Sequence, residues 1–235
     1  MNTELSLLLA TAASIGLVHT LIGPDHYLPF VVMSKARNWS LTKTIWITLA
    51  CGVGHVASSV VLGFAGIAAG VAVDRLVTIE GIRGNLAAWA MIAFGILYAI
   101  WGLRRAYSKK AHTHLSGKLA GITHVHARDT EPEHDHSQTP RPSLTPWVLF
   151  TVFVLGPCEP LIPILMYPAA QHDWSAVILV ASVFGVITIG TMTAVVVAAS
   201  YGASFLRLGK IERFSHALAG ATIALSGLAI QVLGL

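Results

Sequence analysis

Six side chains that can bind metals or exchange protons stand inside long apolar stretches of this chain. They are His19, Asp25 and His26 in the first stretch, His55 in the second, and Cys158 and Glu159 in the fourth. Imidazole, carboxylate and thiolate are ligands of first-row transition metals such as nickel, cobalt, copper and zinc. Polar groups in an apolar segment are costly and usually mark a binding site or a pathway. We therefore predict that these six residues form or gate a metal site.

The spacing of the first group favours convergence on one point. His19 and His26 are seven residues apart, so they would share one face of a continuous helix. Gly23-Pro24 interrupts that helix, because proline lacks an amide donor and disfavours helix in the residue before it. The interruption lets Asp25 and His26 turn toward His19. A similar break is predicted at Gly156-Pro157, next to the thiol.

The amino-acid composition indicates that membrane-spanning helices position these side chains. Hydrophobic residues make up 54% of the 235 residues and charged residues 11%, against roughly 25% charged in soluble domains. The mean hydropathy of +0.69 therefore excludes a soluble enzyme. Six apolar runs lie at about 5 to 33, 44 to 73, 86 to 103, 146 to 169, 174 to 203 and 214 to 235. The sequence predicts an all-α membrane protein with six transmembrane helices, of which the first and fourth are broken.

An internal repeat organises the six predicted helices. At an offset of 133 residues, Gly23-Pro24 maps onto Gly156-Pro157 and Gly52-Val53 maps onto Gly185-Val186. The predicted units are residues 1–107 and 146–235, joined by a loop over 108–145. Because each unit holds an odd number of helices, the two copies would enter the membrane from opposite sides as a 3+3 inverted repeat. Broken helices at matching positions of such halves point to a substrate site at the membrane midplane.

Basic residues predict the orientation of the chain. Of the 15 Lys and Arg residues, 13 lie in the loops after predicted helices 1, 3 and 5. The excess of basic residues in cytoplasmic loops places these loops in the cytoplasm and both termini outside. This topology also accounts for the net charge of +4, so no nucleic-acid partner is expected. We expect the protein in a bacterial inner membrane.

The long polar loop carries three His-x-His pairs. They are His112 with His114, His124 with His126, and His134 with His136. Histidine-rich tracts bind metals through neutral imidazole, so the loop is predicted to capture metal as a secondary site. Its composition predicts disorder in the absence of metal. Its removal is expected to weaken capture without abolishing transport.

The first break resembles a known family. The sequence His-Thr-Leu-Ile-Gly-Pro-Asp-His from His19 to His26, followed by Gly54-His55, is similar to the nickel/cobalt transporter superfamily, most closely its UreH-like nickel permease branch. The resemblance implies that His19, Asp25 and His26 bind the metal. The main permeases have one residue fewer between the first His and the Asp-His pair. The extra residue would rotate that pair by about 100° on an ideal helix.

The second break resembles a different group. Gly156-Pro157-Cys158-Glu159-Pro160 is similar to the DsbD/CcdA thiol-disulfide conduits, which use one cysteine in each inverted half. At the repeat offset, Cys158 corresponds to Asp25 and the other cysteine, Cys51, corresponds to Phe184. The partner thiol is therefore missing. The TauE-like family has similar hydropathy, but an anion carrier would prefer Arg or Lys at the breaks, and neither break has one.

These observations predict a membrane transporter for a divalent transition metal, with nickel or cobalt ahead of zinc and copper. We expect no enzymatic activity and no prosthetic group. The expected partners are the lipid bilayer, the metal ion, and a metallochaperone or a second copy of the chain. Three alternatives stay open: a thiol-disulfide electron conduit, a TauE-like anion exporter, and an accessory protein that binds metal without flux. Import and export are not distinguished.

Overall fold

Helices dominate the molecule. The computed structural model describes residues 3–108, 112–113, 125–126, 145–205 and 209–233. In these ranges the helices are α1 (Thr3–Ile22), α2 (Leu28–Arg37), α3 (Leu41–Ala68), α4 (Val73–Ser108), α5 (Thr145–Leu155), α6 (Leu161–Ala170), α7 (Trp174–Ser204) and α8 (Ser215–Leu233). Two 3₁₀ turns cover Pro24–His26 and Gly209–Phe214. Two short strands, β1 (His112–Thr113) and β2 (Val125–His126), pair antiparallel.

Within the part of the chain that the structure describes, five helical segments are long and apolar enough to cross a membrane. They are Thr3–Ile22, Leu41–Ala68, Val73–Ser108, Trp174–Ala203 and Glu212–Leu233. The prediction of a multi-pass helical membrane protein is thereby confirmed. The predicted fourth crossing consists instead of two short helices, α5 and α6, each below the roughly 20 residues that one crossing needs. The 3+3 inverted repeat of six helices stays a prediction.

Both predicted helix breaks are confirmed. In the first, α1 ends at Ile22, and α2 begins at Leu28 after the turn over Pro24–His26. In the second, α5 ends at Leu155 and α6 begins at Leu161. Each break contains prolines, which cannot donate the amide hydrogen bond that a continuous helix requires.

Helix α4 is longer than its hydropathy predicts. The apolar run at 86 to 103 lies within a helix that extends over Val73–Ser108. The apolar runs predict a loop for Arg75 and Arg83, between the second and third runs, and this prediction is wrong because both lie inside α4. Arg83 is accommodated there because it pairs with Glu80, one helical turn earlier.

Small residues allow α4 and α8 to approach closely. A Cβ atom added to Gly95 or Gly220 would collide with the backbone of the opposite helix, and the same is true of Gly102. Interfaces of this kind are common between membrane helices, since backbones that lie close together gain dispersion contacts. Of this pair, α8 also packs against α2 and the turn over Pro24–His26, and α4 packs against α5 and α6.

Candidate functional site

A cavity of about 460 Å³ lies between the two helix breaks. Its chemically active lining consists of His19, Asp25 and His26 from the first break, His55 from α3, and Glu159 from the second break. Gly84 and Met91 of α4 line another part of its wall. The topology therefore brings polar residues from distant parts of the chain to one cavity among apolar helices.

Three imidazole rings converge at this cavity. The ring centroid of His26 lies 4.8 Å from that of His19 and 5.1 Å from that of His55. One ligand atom from each of the three lies within 4.8 Å of the others. His26 and His55 are each only 2% exposed. The break allows this convergence, because the turn over Pro24–His26 places His26 between α1 and α3.

The first break holds His26 by its Nδ1 atom. This nitrogen lies 3.2 Å from the carbonyl oxygen of Gly23 and 3.2 Å from Asp25 Oδ1. A Cβ on Gly23 would come within 2.5 Å of the same nitrogen, so only glycine leaves room for the ring. Asp25 therefore lies beside His26 as its hydrogen-bond partner.

The second break brings a thiol to the same region. Cys158 Sγ lies 3.0 Å from His55 Nε2, and Cys158 is fully buried. The other ring nitrogen of His55, Nδ1, lies 3.2 Å from the carbonyl oxygen of Phe153, near the end of α5. The backbone amide of Cys158 donates to Ser59 Oγ at 3.2 Å. His55 thus connects the thiol to the imidazole cluster.

A buried ion pair that sequence analysis missed supports the second break. Glu80 is fully buried, pairs with Arg83 and accepts a hydrogen bond from Ser59 Oγ. Arg83 Nη2 also donates to Ser58 Oγ at 2.7 Å and to the carbonyl oxygen of Val154 at 2.9 Å. This carbonyl is freed where α5 ends. Opposite charges three residues apart beside an apolar run were the available signal.

A second polar cluster joins four helices, α2, α4, α5 and α8. Arg37 Nε donates to the hydroxyl of Tyr98 at 3.1 Å, and Arg37 Nη2 donates to Thr145 Oγ1 at 2.7 Å. The same hydroxyl lies 2.8 Å from His216 Nδ1. His216, near the start of α8, belongs to this cluster.

The six predicted site residues do not occupy equivalent positions. Three of them, His19, His26 and His55, form the close group. Asp25 contacts His26 and Cys158 contacts His55. Glu159 lines the cavity but is exposed and stands outside the three-imidazole group.

The histidine-rich loop falls largely outside the described residues. His114, His124, His134 and His136 lie there, as does most of the segment that was predicted to be disordered. His112 and His126 are register partners in the pairing of β1 with β2. Metal capture by this loop stays a prediction.

Comparison with known proteins identifies the family. Residues 27–232 match the family model described as the cytochrome C biogenesis protein transmembrane region. The chain belongs to this family. No curated protein and no solved structure shows significant similarity to it. The match contains the second break and begins one residue after His26.

This finding corrects the resemblance to the nickel/cobalt transporter superfamily, including its UreH-like branch, which is wrong. That resemblance rested on one short motif in the first break, whose spacing already departed from the permease pattern. The matching family model extends over five of the six predicted helices and part of the first. Family membership favours the thiol-disulfide electron conduit over metal transport.

Proposed function

We propose that the protein passes thiol-linked electrons across a membrane, with Cys158 as its exchange thiol. The observation that carries this proposal is the 3.0 Å contact between Cys158 Sγ and His55 Nε2 at the second break. Membership of the cytochrome c biogenesis transmembrane family supports it.

The contact suits the chemistry of exchange. The thiolate, not the thiol, attacks a disulfide. Since Nδ1 of His55 faces a carbonyl oxygen, which only accepts hydrogen bonds, that nitrogen carries the ring proton. His55 Nε2 then has a free lone pair and can accept the proton of the thiol.

Because the chain offers one exchange thiol, each of its partner proteins must supply two thiols. The chain has two cysteines, and both are free. Cys51 and Cys158 belong to separate apolar clusters, so a disulfide between them has no support. The exchange would therefore run through mixed disulfides with dithiol proteins on either side of the membrane.

Three successive thiolate attacks would transfer the electrons. The Cys158 thiolate attacks the disulfide of an oxidised partner, forming a mixed disulfide and releasing one partner thiolate, which takes up a proton. A thiolate of a reduced dithiol partner then attacks the Cys158 sulfur, releasing the first partner as a dithiol. The second thiolate of the reduced partner closes its own disulfide and frees Cys158. Two electrons and two protons pass from one partner to the other.

We place the protein in a bacterial inner membrane with its basic loops in the cytoplasm and both termini outside, which the distribution of Lys and Arg supports. The 3+3 inverted repeat would let each break face one side in turn. The family match does not support nickel or cobalt transport. The absence of enzymatic activity and of a prosthetic group, and a metallochaperone or a second copy of the chain as partner, stay predictions.

A vesicle experiment tests the proposal. Liposomes with the reconstituted protein are loaded with a reduced dithiol peptide, and an oxidised dithiol peptide is added outside. We expect external thiols to appear with the wild type and with Cys51→Ser, the matched control, but not with Cys158→Ser. His55→Ala should slow the exchange by about tenfold or more, because less thiolate forms. Equal rates for wild type, Cys158→Ser and protein-free liposomes would disprove the proposal.

A further inference from the structure

The proposed thiol exchange gives no role to two nitrogen atoms of the cluster formed by His19, His26 and His55. His19 Nε2 and His26 Nε2 are buried without a hydrogen-bond partner. A buried polar atom without a partner is costly and calls for an explanation such as an ion. His19 and His26 also lie outside the part of the chain that the family match covers.

The hydrogen bonds of the other ring nitrogens fix which atoms can bind. His26 Nδ1 faces two oxygen acceptors, Gly23 O and Asp25 Oδ1, so it carries the proton. His55 Nδ1 faces Phe153 O in the same way. The lone pairs of both rings are therefore on Nε2. Histidines that bind metals usually donate their other N–H to a carboxylate or a backbone carbonyl, and both rings do so here.

We propose that His19, His26 and His55 bind one divalent first-row transition-metal ion. Imidazole nitrogens suit zinc, copper, nickel and cobalt, whereas magnesium and calcium prefer oxygen. Asp25 orients His26 and offsets part of the positive charge of the ion within the apolar helices. The cavity of about 460 Å³ gives the ion a path to all three rings and room for a further ligand.

The site and the thiol share one atom. His55 Nε2 is both a ligand in this proposal and the atom that contacts Cys158 Sγ. A bound ion would therefore compete with the thiol for that nitrogen or would recruit the thiolate as an additional ligand. In both cases the ion slows alkylation of Cys158. The three ligands do not include Cys158, so metal binding does not depend on thiol exchange.

The test is a titration with Co²⁺, whose visible absorption reports coordination by protein ligands. The protein is purified without a histidine tag, and the six loop histidines are replaced by asparagine to remove competing sites. We expect one Co²⁺ per chain. His19→Ala, His26→Ala and His55→Ala should each lower the affinity by more than about 100-fold, and Asp25→Asn by about 10- to 100-fold.

Controls separate ligand loss from misfolding and from thiol chemistry. His172→Asn is the matched control, because His172 is exposed and has a φ of 58°, which asparagine tolerates. Each variant is accepted only if its thermal unfolding is cooperative; His26→Gln replaces an alanine variant that is not. Cys158→Ser should keep Co²⁺ binding while losing exchange. No Co²⁺ bound to the wild-type site, or unchanged affinity in the His19 and His26 variants, would overturn the proposal.

Discussion

The two helix breaks start from similar sequence and end in different structures. Gly23-Pro24 begins a turn that is packed around the ring of His26, with Asp25 as a neighbour. Gly156-Pro157 precedes Cys158, and the side chain of Arg83 from α4 donates hydrogen bonds to the carbonyl oxygens of Val154 and Gly156. The first break is thus stabilised by its own residues and the second by an ion pair brought from another helix.

Because the two breaks have separate supports, the chemistry at one break can differ from the chemistry at the other. Two of the three imidazoles that could bind a metal, those of His19 and His26, lie at the first break and outside the residues that match the family. The Cys158 thiol lies at the second break, within the matching residues. His55 contacts both groups. A shared scaffold can therefore carry two kinds of chemistry that meet at one imidazole.

The largest effect is expected from removing the support of the second break. Arg83→Met leaves the fully buried carboxylate of Glu80 without its cation, and it removes the hydrogen bond to Val154 O. Loss of one partner of a buried ion pair costs about 3–5 kcal/mol. We expect a marked drop in the midpoint of thermal unfolding in detergent, followed by circular dichroism.

Two variants make that result specific. Arg75→Met changes an exposed arginine of the same helix and should leave the midpoint nearly unchanged. Adding Glu80→Gln to Arg83→Met removes the uncompensated charge and should recover part of the loss. If Arg75→Met and Arg83→Met have equal effects, the ion pair does not stabilise the second break.

The positions of glycine and proline predicted both breaks. They did not predict that Arg83 stabilises the second break, because that contact joins residues far apart in the sequence. Each proline acts on its immediate neighbours, so Gly23-Pro24 and Gly156-Pro157 could be located from the sequence. The contact of Arg83 with Val154 O joins residues 71 positions apart. The hydropathy pattern left Arg83 outside the predicted helix, because a charged residue lowers the local mean hydropathy whether or not its charge is paired.

The candidate site was also predicted only in part. Seven-residue spacing and the break brought His19 and His26 together correctly. The assignment of Asp25 as a ligand did not anticipate its bond to His26 Nδ1, because the sequence does not tell which ring nitrogen faces a carboxylate. The contact of His55 with Cys158 depends on how α3 packs against the second break, which periodicity does not determine.

A smaller effect is expected when the two glycines are compared directly. A Cβ on Gly23 would lie 2.5 Å from His26 Nδ1, whereas a Cβ on Gly156 would lie 3.0 Å from His55 Nδ1. Overpacking of this kind costs about 1–3 kcal/mol. Gly23→Ala should therefore destabilise the protein more than Gly156→Ala and displace His26.

The measurement is thermal unfolding of both variants, with Co²⁺ titration as the second readout. Gly23→Ala should lower Co²⁺ affinity, since His26 Nε2 moves with its ring. Gly190→Ala is the control, because a Cβ there has nothing within 4 Å. A greater loss in Gly156→Ala than in Gly23→Ala would mean that the second break is the more tightly packed of the two.

The smallest effect tests whether the first break depends on the far end of α2. Tyr98→Phe removes the hydroxyl that contacts Arg37 Nε and His216 Nδ1, while Arg37 keeps its bond to Thr145 Oγ1. We expect a loss of about 1–2 kcal/mol in the free energy of unfolding, since two hydrogen bonds are lost and each contributes roughly 0.5–1.5 kcal/mol. Tyr107→Phe, on an exposed ring of the same helix, is the control. If local packing alone holds the first break, Tyr98→Phe leaves Co²⁺ affinity unchanged, whereas a loss as large as that of Asp25→Asn would show that Arg37 positions His26 through α2.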